Sequence, residues 1–140
     1  MSAPGPSARD VVVELNRRFS AGDRAGAAEL LDPGLRIEQP ASLPHGGVHV
    51  GLDGMAAMGQ AFAERWDRTI GPAVVHGGAA PDGVAVQVTR QAWTAKATGH
   101  SATVDVVELL TVQDGRVVEI RVFPHDTHAL LATLGGDAGS

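Results

Sequence analysis

The sequence predicts an α+β domain, with helices packed on one face of a curved, mostly antiparallel sheet. Three observations lead there. Apolar residues recur at helical spacing in the first half and again at the C-terminal end. From Val74 to Phe123 the pattern changes to β-rich runs separated by short turn signals. The length, 140 residues, suits one compact domain and is too short for two ordinary ones.

Taken in order, Ser7 followed by Asp10 reads as a capping-box-like helix start. Val12, Leu15 and Phe19 continue that helix until Ala21-Gly22. Asp23 can cap a second short helix carrying Leu30 and Leu31, stopped by Asp32-Pro33-Gly34. Leu35 to Gln39 is a short strand closed by Pro40, and residues 41–50 read as a loop. Helix returns from Gly51 to about Arg68, with Leu52, Met55, Phe62 and Trp66 on its apolar face. Val74-Val75, Val84 to Trp93, Ala102 to Val112 and Arg116 to Phe123 are strands. The turns between them are Pro81-Asp82-Gly83, Ala97-Thr98-Gly99 and Gln113-Asp114-Gly115, the last a strong hairpin signal. Asp126 caps a final helix with Leu130, Leu131 and Leu134, ended by Gly135. The expected domain spans 8–134, between disordered tails at 1–7 and 135–140, rich in Gly, Pro and Ser.

Composition excludes several classes. Sixteen acids against eleven bases, net −5, argue against a nucleic-acid partner, which would need a basic stripe to displace counterions. The absence of cysteine removes disulfides, thiol nucleophiles and thiolate metal sites. The N-terminus has no apolar segment of a signal peptide, and no run suffices to span a bilayer, so a cytoplasmic protein with no membrane partner is expected. With 4% aromatic residues and an apolar share dominated by Ala and Val, a core with a cavity among small side chains is possible. No phosphate-binding glycine pattern or serine nucleophile elbow is present.

The element order and several local motifs resemble the nuclear-transport-factor-2-like superfamily, and its SnoaL-like branch of small bacterial proteins. The motifs are the paired helices around Ala21-Gly22-Asp23, the strand end Glu38-Gln39-Pro40, and Leu43-Pro44-His45-Gly46-Gly47 leading to Gly51-Leu52-Asp53-Gly54. The hairpin Asp114-Gly115-Arg116-Val117 and Phe123 with Asp126-Thr127 complete the set. The resemblance, over about residues 8–134, implies a cone-shaped α+β barrel enclosing a pocket, and a homodimer through the sheet. Relatives include ketosteroid isomerases, polyketide cyclases, dehydratases and epoxide hydrolases, as well as members without catalysis, so the fold does not choose the reaction. Ketosteroid isomerases carry a catalytic aspartate where this chain has Gln39, and a tyrosine where it has none at all. Gln accepts no proton at neutral pH, which argues against that exact chemistry from those positions. Limonene epoxide hydrolases use an Arg and an Asp two residues apart; Arg90 fits the first with a one-residue shift, Asp126 fits a later Asp, but Ala92 breaks the set.

Strand parity singles out polar residues on apolar faces. One face of the third long run reads Val104, Val106, Glu108, Leu110, Val112, with Glu108 its single acid. In the preceding strand Val84, Val86, Val88, Arg90 and Ala92 share a face, and Arg90 is its only charge. Paired around Ala97-Thr98-Gly99, Arg90 and Glu108 become diagonal neighbours, either as a structural ion pair or as a pocket acid with its tuner. Glu38 faces outward by strict alternation, yet an irregular strand end would turn it inward in place of Gln39.

Among the histidines, His125 reaches the expected barrel mouth beside Asp126, which could equally be only a helix cap. His125, Asp126 and His128 fall short of the convergent ligand set a metal needs, and none is expected. Phe62, Trp66 and Trp93 are core or pocket wall. The expectation is a cofactor-independent acid/base enzyme acting on a small, largely apolar molecule. Cyclisation, isomerisation, dehydration and epoxide opening are all open, in bacterial secondary metabolism. Glu108, Glu38, Arg90, His125 and Asp126 are its catalytic candidates. Gln39, His45, Phe62, Trp66, Trp93, Val106, Ile120 and Val122 are the candidates for substrate contact. The rival is a non-catalytic, small-molecule-binding dimeric module of the same fold.

Overall fold

A computed structural model describes residues 5–135. Of the two expected tails, residues 1–4 and 136–140 lie outside the described residues, while Ser7 is engaged as a cap. Its hydroxyl accepts from the Asp10 amide and the Asp10 carboxylate accepts from the Ser7 amide, which starts helix α1 (Ala8–Ser20). Val12 and Leu15 of α1 are buried against the sheet, and the helix ends at Ala21. Asp23 caps α2 (Arg24–Glu29) by accepting from the Gly26 amide.

The second helix is shorter than the sequence suggested. Leu31 already belongs to strand β1 (Leu31–Gln39), which runs through Asp32-Pro33-Gly34 instead of stopping there. The reason is a bulge: β1 pairs in parallel with the last strand at Leu31 and again at Arg36, and the residues between are looped out of register. A proline sits there at no expense, because no ladder hydrogen bond needs its missing N–H. The segment read as a loop also contains strand β2 (Gly47–Val50), antiparallel to β1. Helix α3 (Gly51–Ala63) ends before Trp66, which opens β3 (Trp66–Ile70). No Gly or Pro marks this exit; Trp66 leaves the helix to bury its indole among Phe62 and Trp93.

The remaining strands are β4 (Val74–Gly77), β5 (Gly83–Ala95), β6 (Ser101–Gln113) and β7 (Arg116–Pro124), followed by α4 (Thr127–Ala132). The sheet order is β2-β1-β7-β6-β5-β3, with β4 also paired to β5. All neighbours are antiparallel except β1 and β7, so the sheet is mixed and curls around its helices. Asp114 and Gly115 both take positive φ in the β6–β7 hairpin, as a tight primed turn requires. One core cluster lies between α1 and the sheet; the other gathers Phe62, Trp66, Trp93, Val104, Val106 and Leu130. Among the described residues no helix is long and apolar enough to cross a membrane.

One face assignment reverses. β5 and β6 do pair around Ala97-Thr98-Gly99, but the buried face of β5 is Ala85, Gln87, Thr89, Gln91, Trp93 and Ala95. Val84, Val86, Val88, Arg90 and Ala92 point to the outside of the sheet. Arg90 therefore pairs with Asp105 on that outer face at 3.3 Å, and Gln87, not Arg90, stands opposite Glu108. The assumption that the more apolar face must turn inward fails because the inner face lines a cavity.

Candidate functional site

Between the curled sheet, α1 and α3 lies a cavity of about 660 Å³. Its apolar walls come from Leu15, Ile37, Met55, Met58, Leu110 and Ile120, among others. Its polar wall is the inward row of β5, Gln87, Thr89 and Gln91, each almost fully buried.

Glu108 on β6 lines this cavity, as the lone acid in its apolar row. Its Oε1 accepts from Gln87 Nε2 at 3.1 Å, and Gln87 Oε1 in turn accepts from Asn16 Nδ2 at 2.8 Å. The α1 residue Asn16 thus fixes which way the Gln87 amide faces. Burial pushes the Glu108 carboxyl above its ordinary value, against smaller opposing pulls from the Gln87 hydrogen bond and from Arg68. Arg68, on edge strand β3, lies opposite Trp93 in register, so its side chain turns toward the cavity. Its guanidinium sits 4.5 Å from the centroid of the Phe62 ring.

His45 is the second titratable group on the cavity wall. It lies in the loop before β2, where Gly46 lets the chain fold tightly: a Cβ there would collide with the Pro40 carbonyl oxygen. The imidazole is enclosed by Phe62, Trp66 and Trp93, with ring centroids 5.3, 5.9 and 5.8 Å away. Its Nδ1 is buried without a hydrogen-bond partner among the described residues. Burial, reinforced by the positive Arg68, then by His49 and Arg65, lowers its pKa to about 4, so the ring is neutral at pH 7. A carboxyl inclined to keep its proton and an imidazole inclined to stay without one thus share a single cavity.

Of the residues singled out for substrate contact, Gln39, His45, Trp93, Val106, Ile120 and Val122 line the cavity. Phe62 and Trp66 stand behind His45 in the aromatic cluster, where the Trp66 indole donates to Thr133 Oγ1 at 2.8 Å. Glu108 is the one catalytic candidate that reaches the cavity; the others are placed elsewhere. Glu38 keeps strict alternation and pairs with Arg121 at 3.5 Å on the outer face, since the strand end stays regular up to Gln39. Arg90 is on that same outer face. His125 is exposed beyond the end of β7, and Asp126 caps α4 by accepting from the Ala129 amide at 2.9 Å. Among the described residues no three His, Asp or Glu side chains converge as a metal site would need.

Sequence reasoning missed Asn16, Arg68, Gln87, Thr89 and Gln91. Trp93 was the available signal for the last three: a residue that large sits inward, and i−2, i−4 and i−6 share its face.

A curled mixed sheet closed by helices around an internal pocket defines the cone-shaped α+β class of nuclear-transport-factor-2-like proteins. Within that class the sequence matches the SnoaL-like domain over residues 12–120, and the chain belongs to that family. An NTF2-like protein from Burkholderia thailandensis superposes with a TM-score of 0.81 at 20% identity, over 92% of this chain and 98% of its own. TerC, co-crystallised with polyporic acid, gives 0.75 at 18% identity, over 89% and 95%. A proposed polyketide cyclase from Pseudomonas putida gives 0.73 at 14% identity, over 94% and 100%. At these identities the likeness is one of fold. No curated protein matches the sequence significantly.

Proposed function

We propose that the cavity is the active site of a cofactor-independent acid–base enzyme acting on a small carbonyl compound of bacterial secondary metabolism. The observation that carries this reading is Glu108, a single carboxyl set in the cavity wall whose burial favours the protonated form. In that form it gives its proton to a ligand carbonyl oxygen. The neutral His45 receives one from the carbon beside that carbonyl, yielding the enol. Glu108 is then a carboxylate and His45 an imidazolium, and the reverse transfers restore both. Enolisation of this kind opens cyclisation and isomerisation alike. Support for a polyketide-like substrate comes from the solved relatives described as polyketide cyclases.

Benzoylacetone in heavy water tests the proton transfer without knowledge of the natural substrate. The wild type should accelerate exchange of the methylene protons seen by proton NMR, and Glu108→Gln should reduce the acceleration by roughly a hundredfold. Glu38→Gln, Arg90→Ala and His125→Ala should leave it unchanged. Exchange no faster than in buffer would replace the enzyme by a non-catalytic binding module.

The functional unit we propose is a homodimer joined through the outer sheet face. Val84, Val86 and Val88 of β5, Val107 and Leu109 of β6 and Phe123 of β7 form an apolar patch there, with Val84 and Phe123 over 40% exposed. The pairs Arg90–Asp105 and Arg121–Glu38 rim it with both signs of charge, which suits a second copy turned by a two-fold axis.

A further inference from the structure

The polar row of β5 carries more than general polarity, because its hydrogen bonds run in one direction. The Trp93 indole has a donor and no acceptor, and it donates to Gln91 Oε1 at 2.8 Å. That contact fixes the Gln91 amide, whose Nε2 then donates to Thr89 Oγ1 at 2.9 Å. Thr89 is therefore an acceptor within the chain, and its own hydroxyl proton has no partner among the described residues. One N–H of Gln91 Nε2 is likewise unused. Both residues line the cavity and are about 95% buried, so these protons face the cavity and not bulk water. Arg68 adjoins the same end of the row: it is opposite Trp93, one inward step from Gln91. Among the described residues it has no carboxylate within ion-pair distance.

A wall that offers spare donors is matched by a ligand that brings acceptors. A ligand amine would meet only the second lone pairs of the Thr89, Gln91 and Gln87 oxygens, each already holding one hydrogen bond, and the Arg68 cation beside them repels a charged amine. We propose that Thr89, with Gln91 and Arg68 beside it, is the specificity element of this cavity. It selects apolar-bodied ligands whose polar end is a carbonyl or enolate oxygen and discriminates against ligands whose polar end is a donor. This rests on the reading of the cavity as the ligand site, but not on turnover there. The row keeps its direction because Trp93 is itself part of the buried aromatic cluster and cannot reverse its single N–H. The apolar body lies against Ile37, Val106, Leu110 and Ile120 on the strands beyond.

The probes are acetonaphthone, ethylnaphthalene and naphthylmethylamine, which share a ring system and differ in the polar end. Titration calorimetry on the full chain should give the order ketone, hydrocarbon, amine. Thr89→Val, close to isosteric, should weaken acetonaphthone by roughly three- to tenfold while leaving ethylnaphthalene unchanged. Thr89→Ser should restore the ketone. The infrared carbonyl stretch of bound acetonaphthone should fall in frequency in the wild type and in Thr89→Ser, and return toward its free value in Thr89→Val. Equal binding of ketone and hydrocarbon, equal weakening of both by Thr89→Val, or no binding of the ketone at all would each overturn the proposal. Ketone selectivity without benzoylacetone exchange would remove the catalytic reading alone, whereas exchange without selectivity would remove this one alone.

Discussion

Acidification should destabilise this protein through His45, by an amount the structure sets. The ring is enclosed by three aromatic side chains with Nδ1 unpartnered, and burial, then Arg68, His49 and Arg65, lower its pKa from 6.5 to about 4. Above pH 6.5 His45 is neutral folded and unfolded, and contributes no pH dependence. Between pH 6.5 and 4 the unfolded chain takes up a proton that the folded chain refuses, so stability falls as pH falls. At 1.36 kcal/mol per pH unit, the total loss is about 3 kcal/mol. For a domain of this size that is roughly 10 °C in Tm. Other groups titrate nearby: Glu14 is held at about 2 by Arg17 and Arg18, which weakens the fold only at lower pH. Glu108, raised by burial, acts with the opposite sign: its contribution is fully present below pH 4.5 and is lost as pH rises from there through its higher folded-state value. His45→Phe isolates the histidine, since both other groups remain. Urea unfolding of the two proteins from pH 8 to pH 4 should give a difference curve flat above pH 7, falling through pH 6, and levelling near pH 4. Parallel curves over that range would refute the burial account of His45, whatever the absolute stabilities.

Two other perturbations check the packing around the site. Trp66→Phe removes the indole donor to Thr133 Oγ1 and part of a fully buried ring, so thermal unfolding should show a loss of about 1–3 kcal/mol. Thr133 keeps its donation to the Leu130 carbonyl, which limits the damage. Val86→Glu sets a charge in the outer apolar face opposite Leu109, and sedimentation velocity should shift from a dimer to a monomer with the circular dichroism spectrum intact. A monomer in the unmodified protein would remove the dimer.

Much of the fold was legible because it is written in local signals. The Ser7–Asp10 capping box, the Asp23 and Asp126 caps and the Asp114-Gly115 turn act within a few residues, and each is found where the sequence put it. The illegible parts depend on distant partners. β3 follows a helix with no stop signal and becomes a strand only by pairing with β5, whose partner residues lie 21 to 29 positions further on. Arg68 was hidden with it, counted as the end of a helix. Proline in β1 suggested a stop, yet its parallel partner β7 lets the strand bulge past it. Glu108 was readable as one acid in an otherwise apolar row. Gln87, Thr89 and Gln91 were readable only through Trp93, because polarity on β5 runs against the simple alternation rule: the inward row lines a cavity and is the polar one. Their outward neighbours are the apolar ones.

That inversion bears on why the cavity exists at all. A strand buried for stability alone would turn Val84, Val86 and Val88 inward and fill the space. Here the valines face out, and the inner row holds three polar side chains whose burial is tolerable because each is bonded to a neighbour: Gln87 to Asn16 and Glu108, Thr89 to Gln91, Gln91 to Trp93. The buried side-chain polar atom left without a partner among the described residues is His45 Nδ1, and it belongs to a residue of the same cavity wall. The desolvated carboxyl of Glu108 is there too. Destabilising features are thus concentrated on one internal surface while the rest of the core is conventionally apolar. Selection for stability would have removed them one at a time, by Gln87→Leu or Glu108→Leu, with no change to the fold. Their presence together, each oriented by the next, is what a surface shaped for a ligand requires and what packing alone does not explain.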